Sequence, residues 1–65
     1  MDFSEIRNFV AQRGFRTLVE IKAEYAKEDQ EVLKTQLDYL TSRNTLRKVS
    51  FIDSSGIKDL YVIPV

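Results

Sequence analysis

Side chains able to bind or react gather in one stretch of this chain, Glu28-Asp29-Gln30-Glu31-Val32-Leu33-Lys34-Thr35-Gln36-Leu37-Asp38-Tyr39. On helical spacing Gln30, Lys34 and Asp38 form one outward row that Thr41 continues, and Tyr39 lies off the apolar stripe beside them. Such a row on the reader helix of a helix-turn-helix would meet DNA or a protein surface. The acids Glu28, Asp29 and Glu31 stand where that helix begins, and Lys34 is the only cation of the row. Carboxylates repel the phosphate backbone that supplies most non-specific DNA affinity, and the base group that suits them is the cytosine amino donor. Two readings of these acids stay open. They stabilise the positive end of the helix macrodipole by about 0.3 to 1 kcal/mol each, or they form an acidic recognition surface.

A second group, Arg43, Arg47, Lys48 and Lys58, surrounds a predicted hairpin. These cations suit phosphates or an acidic protein surface, or they are a solvated edge that discourages strand pairing. Asp53 and Asp59 sit among them and dilute the field. Catalysis finds no such grouping. The chain has no His and no Cys, so thiolate nucleophiles, imidazole bases and Zn sites of the Cys/His kind are excluded. Ser54-Ser55-Gly56 offers hydroxyls without a base, no Gly-rich loop opens a helix, and Asp53 lacks further oxygen ligands at Ca-loop spacing. Neither an enzyme nor a resident cofactor or metal is expected.

The elements that must position these residues follow from periodicity. Phe3, Ile6, Phe9 and Val10 predict an amphipathic helix over Asp2 to Arg13, with Asp2 as N-cap, Glu5 three residues on, and Gly14 as a left-handed stop. Phe15-Arg16 is a bridge strand, and Thr17 with Glu20 is the capping box of a second helix ending near Lys27. Its stripe is Leu18, Ile21 and Tyr25, with Ala23 and Ala26 permitting close approach. A third helix runs from Glu28-Asp29 to about Arg43 on Leu33, Leu37 and Leu40, with Val32 beside them, and Asn44 is its stop. Leu46 to Ile52 and Ile57 to Ile63 predict a hairpin around Asp53-Ser54-Ser55-Gly56, closed by Pro64.

The expected fold class is therefore α+β, a small winged helix-turn-helix with three helices and a C-terminal wing of two or three strands, occupying residues 1–65 as a single domain. A three-helix bundle with a loose tail fits less well, because the tail is rich in β-formers. The expected core is Ile6, Phe9, Val10, Leu18, Ile21, Tyr25, Leu33, Leu37 and Leu40, lidded by Val49, Phe51, Leu60 and Val62. The aromatics are expected mostly in that core, with Tyr39 exposed. Tyr61 and Ile63 form a surplus apolar face that packs on the first helix or meets a partner or second copy. A domain of this length buries only about 60% of its unfolded surface, and its net stability is on the order of 3 to 10 kcal/mol. The amino end lacks the basic and apolar regions of a signal peptide and no stretch reaches a membrane span, so the expected location is cytoplasmic, without membrane insertion.

The stretch Ile6-Arg7-Asn8-Phe9-Val10-Ala11-Gln12-Arg13-Gly14-Phe15-Arg16-Thr17-Leu18-Val19-Glu20-Ile21 resembles the start of the FeoC-type proteins, small winged-helix accessories of bacterial ferrous iron transport. The family's Val-x4-Leu-x2-Leu on helix three is matched by Val32, Leu37 and Leu40, and its final basic strand by Leu46-Arg47-Lys48-Val49. Family members commonly carry a Cys cluster in the wing associated with iron or an iron-sulfur centre. The turn Asp53 to Gly56 has none, so iron binding is not carried over. The resemblance implies an accessory that binds the soluble part of the FeoB transporter, with transcriptional regulation as an alternative use of the fold. Exposure selects Gln30, Lys34, Asp38 and Tyr39 on helix three, and Arg47 and Lys48 on the wing, as partner- or DNA-binding candidates. A small DNA-binding regulator acting as a dimer is the competing expectation, since one neutral module binds DNA weakly alone.

Overall fold

Three helices and three strands follow one another along the described residues in the order the periodicity predicts: helix, strand, helix, helix, strand, strand. A computed structural model describes residues 3–64, with side chains from Ser4 onward. The cap expected at Asp2 and the stripe position of the Phe3 side chain lie outside the described residues. The elements are α1 (Phe3–Ala11), β1 (Phe15–Thr17), α2 (Leu18–Glu24), α3 (Gln30–Ser42), β2 (Arg47–Asp53) and β3 (Gly56–Val62). The strands form one antiparallel sheet in the order β1-β3-β2. The molecule is thus an α+β domain.

Local chemistry ends each helix. The first helix ends at Ala11, two residues before the expected Arg13, and the chain reverses at Gly14, which takes φ +85° and donates to the Val10 carbonyl at 2.9 Å. Thr17 caps α2, with its hydroxyl accepting from the Glu20 amide at 3.1 Å while Glu20 accepts from the Thr17 amide at 3.2 Å. The second helix stops at Glu24, short of the predicted Lys27. Tyr25 leaves the helical conformation to meet the Phe9 ring edge-on, centroids 5.9 Å apart, and donates its hydroxyl to the Glu5 carbonyl at 3.1 Å. Asp29 caps α3, accepting from the amides of Glu31 and Val32 at 2.8 and 3.3 Å. Asn44, at φ 60°, ends the turn after it.

The core consists of Ile6, Val10, Ile21, Leu33, Leu37, Leu40, Leu46 and Tyr61, with Phe9, Leu18, Tyr25 and Ile63 packed partly buried against it. Here the wing departs from expectation. Tyr61, assigned to a surplus face, is 4% exposed, whereas Val49 and Phe51, assigned to the lid, are exposed on the opposite face. Leu60 and Val62 are only half-buried. Leu46, predicted as the first residue of the strand, instead precedes β2 and is buried, its amide donating to the Leu40 carbonyl at 3.2 Å. Phe15 is exposed as well, and so are Val32, Ala23 and Ala26. The two alanines face solvent and give no close helix approach, because α2 ends before Ala26 and Ala23 lies off the Ile21 face.

The physical reason for the inverted wing is Arg16. Its Nε donates to the Phe9 carbonyl at 3.1 Å, its guanidinium lies 4.0 Å over the Phe9 ring, and its other nitrogens reach Gln12 Oε1 at 3.2 Å and Glu20 Oε2 at 3.3 Å. Arg13 joins the same carboxylate at 2.9 Å and covers the Phe15 ring at 4.9 Å. With Arg16 held toward α1, alternation sends Phe15 and Thr17 to the outer face. Its register partner Tyr61 then turns inward. The Thr17 amide, followed by the Arg16, Thr17 hydroxyl and Arg13 contacts, holds the Glu20 carboxyl below its ordinary value against the opposing effect of desolvation.

Arg16→Ala is expected to destabilise the domain by about 2 kcal/mol, because it removes charge-assisted hydrogen bonds and a ring contact from a side chain only 13% exposed. Arg16→Lys should recover little of this loss, since an ammonium cannot span three acceptors in a plane. Urea unfolding midpoints measure both, and a loss under about 0.5 kcal/mol for the alanine variant contradicts the role assigned to Arg16.

Candidate interaction surface

Between α2, α3 and the inner face of the wing lies an open groove of about 320 Å³. Its floor is Leu18, Leu33, Leu37 and Tyr61. Along α3 the wall is the row Gln30, Lys34 and Asp38 with Glu31 beside it. Across from it stand Lys22 of α2 and Lys48 and Asp59 of the wing. Four of the six residues selected from sequence, Gln30, Lys34, Asp38 and Lys48, therefore line one depression.

The other two do not. Arg47 precedes Lys48 on β2, so alternation turns it to the outer face, opposite Val62 in register. Tyr39 is exposed, as expected, but away from the groove, with the Arg43 guanidinium 5.6 Å from its ring centroid. The expected basic cluster is divided for the same reason. Arg43 lies on Tyr39, Lys48 lines the groove, and Arg47 and Lys58 belong to the outer face.

The groove walls interleave three cations, Lys22, Lys34 and Lys48, with three carboxylates, Glu31, Asp38 and Asp59. Asp59 is the best-anchored of these. It accepts from the Ser50 hydroxyl at 2.8 Å and pairs with Lys48 Nζ at 3.9 Å. Gln30 has a local duty as well, since its amide donates to the Glu28 carbonyl at 3.1 Å and so closes the turn before α3. For Asp29 the cap geometry selects the helix-end reading of its charge, while Glu31 faces the groove. Lys22 and Asp59 were not among the sequence-selected residues. Only the inward parity of Tyr61, which Asp59 shares on β3, would have placed Asp59 there.

An apolar floor under mixed charges offers burial to an apolar group and ionic contacts at its rim, while the carboxylates oppose a phosphate. Among the described residues, no cluster of three His, Cys, Asp or Glu side chains is placed to hold a metal ion, and no helix is long and apolar enough to cross a membrane. No family model, curated protein or solved structure matches the chain. Its class is therefore given by architecture alone, a small α+β domain.

Burial pushes the Tyr61 phenol above its ordinary value near 10, and the charges of Asp59 and Asp38 push it further. The folded state then keeps a proton that the unfolded chain has released. This contribution to stability is fully present below the unfolded value and is lost as pH rises through the folded one. Tyr25 is raised by burial first, with Glu5 and Glu24 adding. Stability measured by urea unfolding from about pH 9 to about pH 11 should fall, and Tyr61→Phe should flatten part of that slope while Tyr25 retains the rest. An unchanged slope in Tyr61→Phe contradicts the burial of the phenol beside those carboxylates.

Proposed function

We propose that the chain is a winged-helix protein-interaction module, a FeoC-like accessory of ferrous iron transport that binds the soluble domain of a FeoB-type transporter without catalysis and without a cofactor. The observation that carries this reading is the groove beside α3, where three cations alternate with three carboxylates over a floor of Leu18, Leu33, Leu37 and Tyr61. The element order and the β1-β3-β2 sheet support the winged-helix assignment, since the wing returns beside the strand that follows α1. Duplex DNA fits the same face less well. Glu31 and Asp38 stand where phosphates would lie, and Arg47 and Lys58 point away on the outer face of the sheet.

Amide chemical shifts of the labelled protein, followed during titration with the FeoB soluble domain, test the reading. Shifts are expected at Lys22, Lys34, Asp38 and Lys48, and Asp38→Lys should weaken the complex about tenfold with the fold intact. Silence toward that domain removes the transporter from the reading. Shifts over residues 30 to 48 with a short duplex of arbitrary sequence, fading steeply with salt, replace it by a DNA-binding regulator.

A further inference from the structure

β2 is the longer of the two edge strands of the sheet, and all seven of its residues are exposed. The direction of its backbone groups follows from β1. Ile63 donates its amide to the Gly14 carbonyl at 3.1 Å, so the odd-numbered residues of β3 hydrogen-bond toward β1 and the even-numbered ones toward β2. Their partners on β2, by register, are Arg47, Val49, Phe51 and Asp53. Lys48, Ser50 and Ile52 consequently aim their amides and carbonyls away from the sheet, at an unoccupied edge.

We propose that this edge pairs with the same edge of a second copy of the chain, antiparallel about a two-fold axis at Ser50, joining the two sheets into one. The sequence of β2 is self-complementary in that register and in no neighbouring one. Ser50 meets Ser50, and Lys48 meets Ile52, so all three outward-directed residues of each copy are hydrogen-bonded. Arg47 then stands opposite Asp53 at both ends, and Val49 opposite Phe51 on either side of the axis. These are the closer, non-hydrogen-bonded positions, where cross-strand side chains interact most. Sliding the strands by two residues sets Arg47 against Phe51 or Asp53 against Val49, so both ion pairs are lost.

Arg47 and the apolar side chains are otherwise unspent, whereas Asp53 Oδ1 accepts from the Ser55 amide and hydroxyl, both at 2.8 Å, and presents its carboxylate from that turn. Among the described residues Arg47 has no carboxylate within ion-pair distance, whereas Lys48 is already paired with Asp59. Val49 is 42% and Phe51 39% exposed, and the axis gathers four such side chains on the outer face. Ile52, 80% exposed, is covered from the second copy by the aliphatic stem of Lys48. Nothing in the middle of the strand, Val49-Ser50-Phe51-Ile52, carries the charge or proline that usually guards an edge.

Sedimentation equilibrium of the full chain over a wide concentration range tests the pairing. A monomer-dimer equilibrium is expected. Arg47→Asp sets like charges opposite each other twice and should raise the dissociation constant about tenfold, and Asp53→Asn, which keeps an acceptor for Ser55, removes both ion pairs and should raise it less. Adding Asp53→Asn to Arg47→Asp relieves the repulsion and should lower the constant again. In the wild type, amide exchange at Lys48, Ser50 and Ile52 should slow with rising concentration, while Val49 and Phe51, bonded to β3, stay constant. A chain that remains monomeric, a dimer indifferent to Arg47→Asp, or an Arg47→Asp loss that Asp53→Asn fails to relieve each overturns the proposal.

Discussion

The placement of one guanidinium decides the face on which every residue of the sheet lies. Arg16 is fixed by the Phe9 carbonyl and ring on one side and by Gln12 and Glu20 on the other, so it joins the end of α1, β1 and the start of α2 through one side chain. Because strand side chains alternate, that single choice turns Tyr61 into the core and Val62 outward on β3, then Lys48 inward and Arg47 outward on β2. A slip of one residue would put Leu60 and Val62 beneath the helices and leave Lys48 and Asp59 on the far face, with no groove wall. The groove beside α3 is thus a consequence of an ionic anchor on β1 that does not itself line it.

The sequence was legible where the signal is local. The helix order, the Thr17-Glu20 box, the reversal at Gly14, the stop at Asn44 and the hairpin turn all depend on residues within four positions of one another. The choice of sheet face was not legible from β3 itself. Leu60-Tyr61-Val62-Ile63 is apolar on both parities, so alternation offers no preference, and the tie is broken by Arg16 more than forty residues earlier. Tyr61 also suits the inward position better than an aliphatic residue would, since its ring fills the core while its phenol reaches the groove. The candidate site divided along the same line. Gln30, Lys34 and Asp38 were found by helical spacing on a single element, while Arg47 was misplaced and Asp59 missed because their position depends on pairing across strands.

Small size explains why so much apolar surface stays outside. Eight buried side chains make up the core, with four more packed against it. Among the described residues three helices lie on the inner face of a three-stranded sheet, and none covers the outer one. Phe15, Val49 and Phe51 are left there by arithmetic of layers rather than by a failure of patterning. Arg13 over the Phe15 ring is a partial remedy, with a cation used as cover where no helix is available.

The groove and the edge are distinct surfaces that share one strand. Lys48 sends its side chain to the groove and its backbone to the edge, and Ser50 does the same through its hydroxyl bond to Asp59. Were a partner to grip Lys48 or Asp59, it would immobilise side chains of β2 and its neighbour, and a strand so held would lose less conformational entropy on pairing with a second copy. Occupation of either surface must then favour the other by the same factor, since coupling free energies are reciprocal. A docked second copy would also hold Lys48 and Asp59 nearer their groove positions before the partner arrives. In a chain of 65 residues the groove wall and the sheet edge thus draw on the same strand, so a substitution at Lys48 or Ser50 touches both.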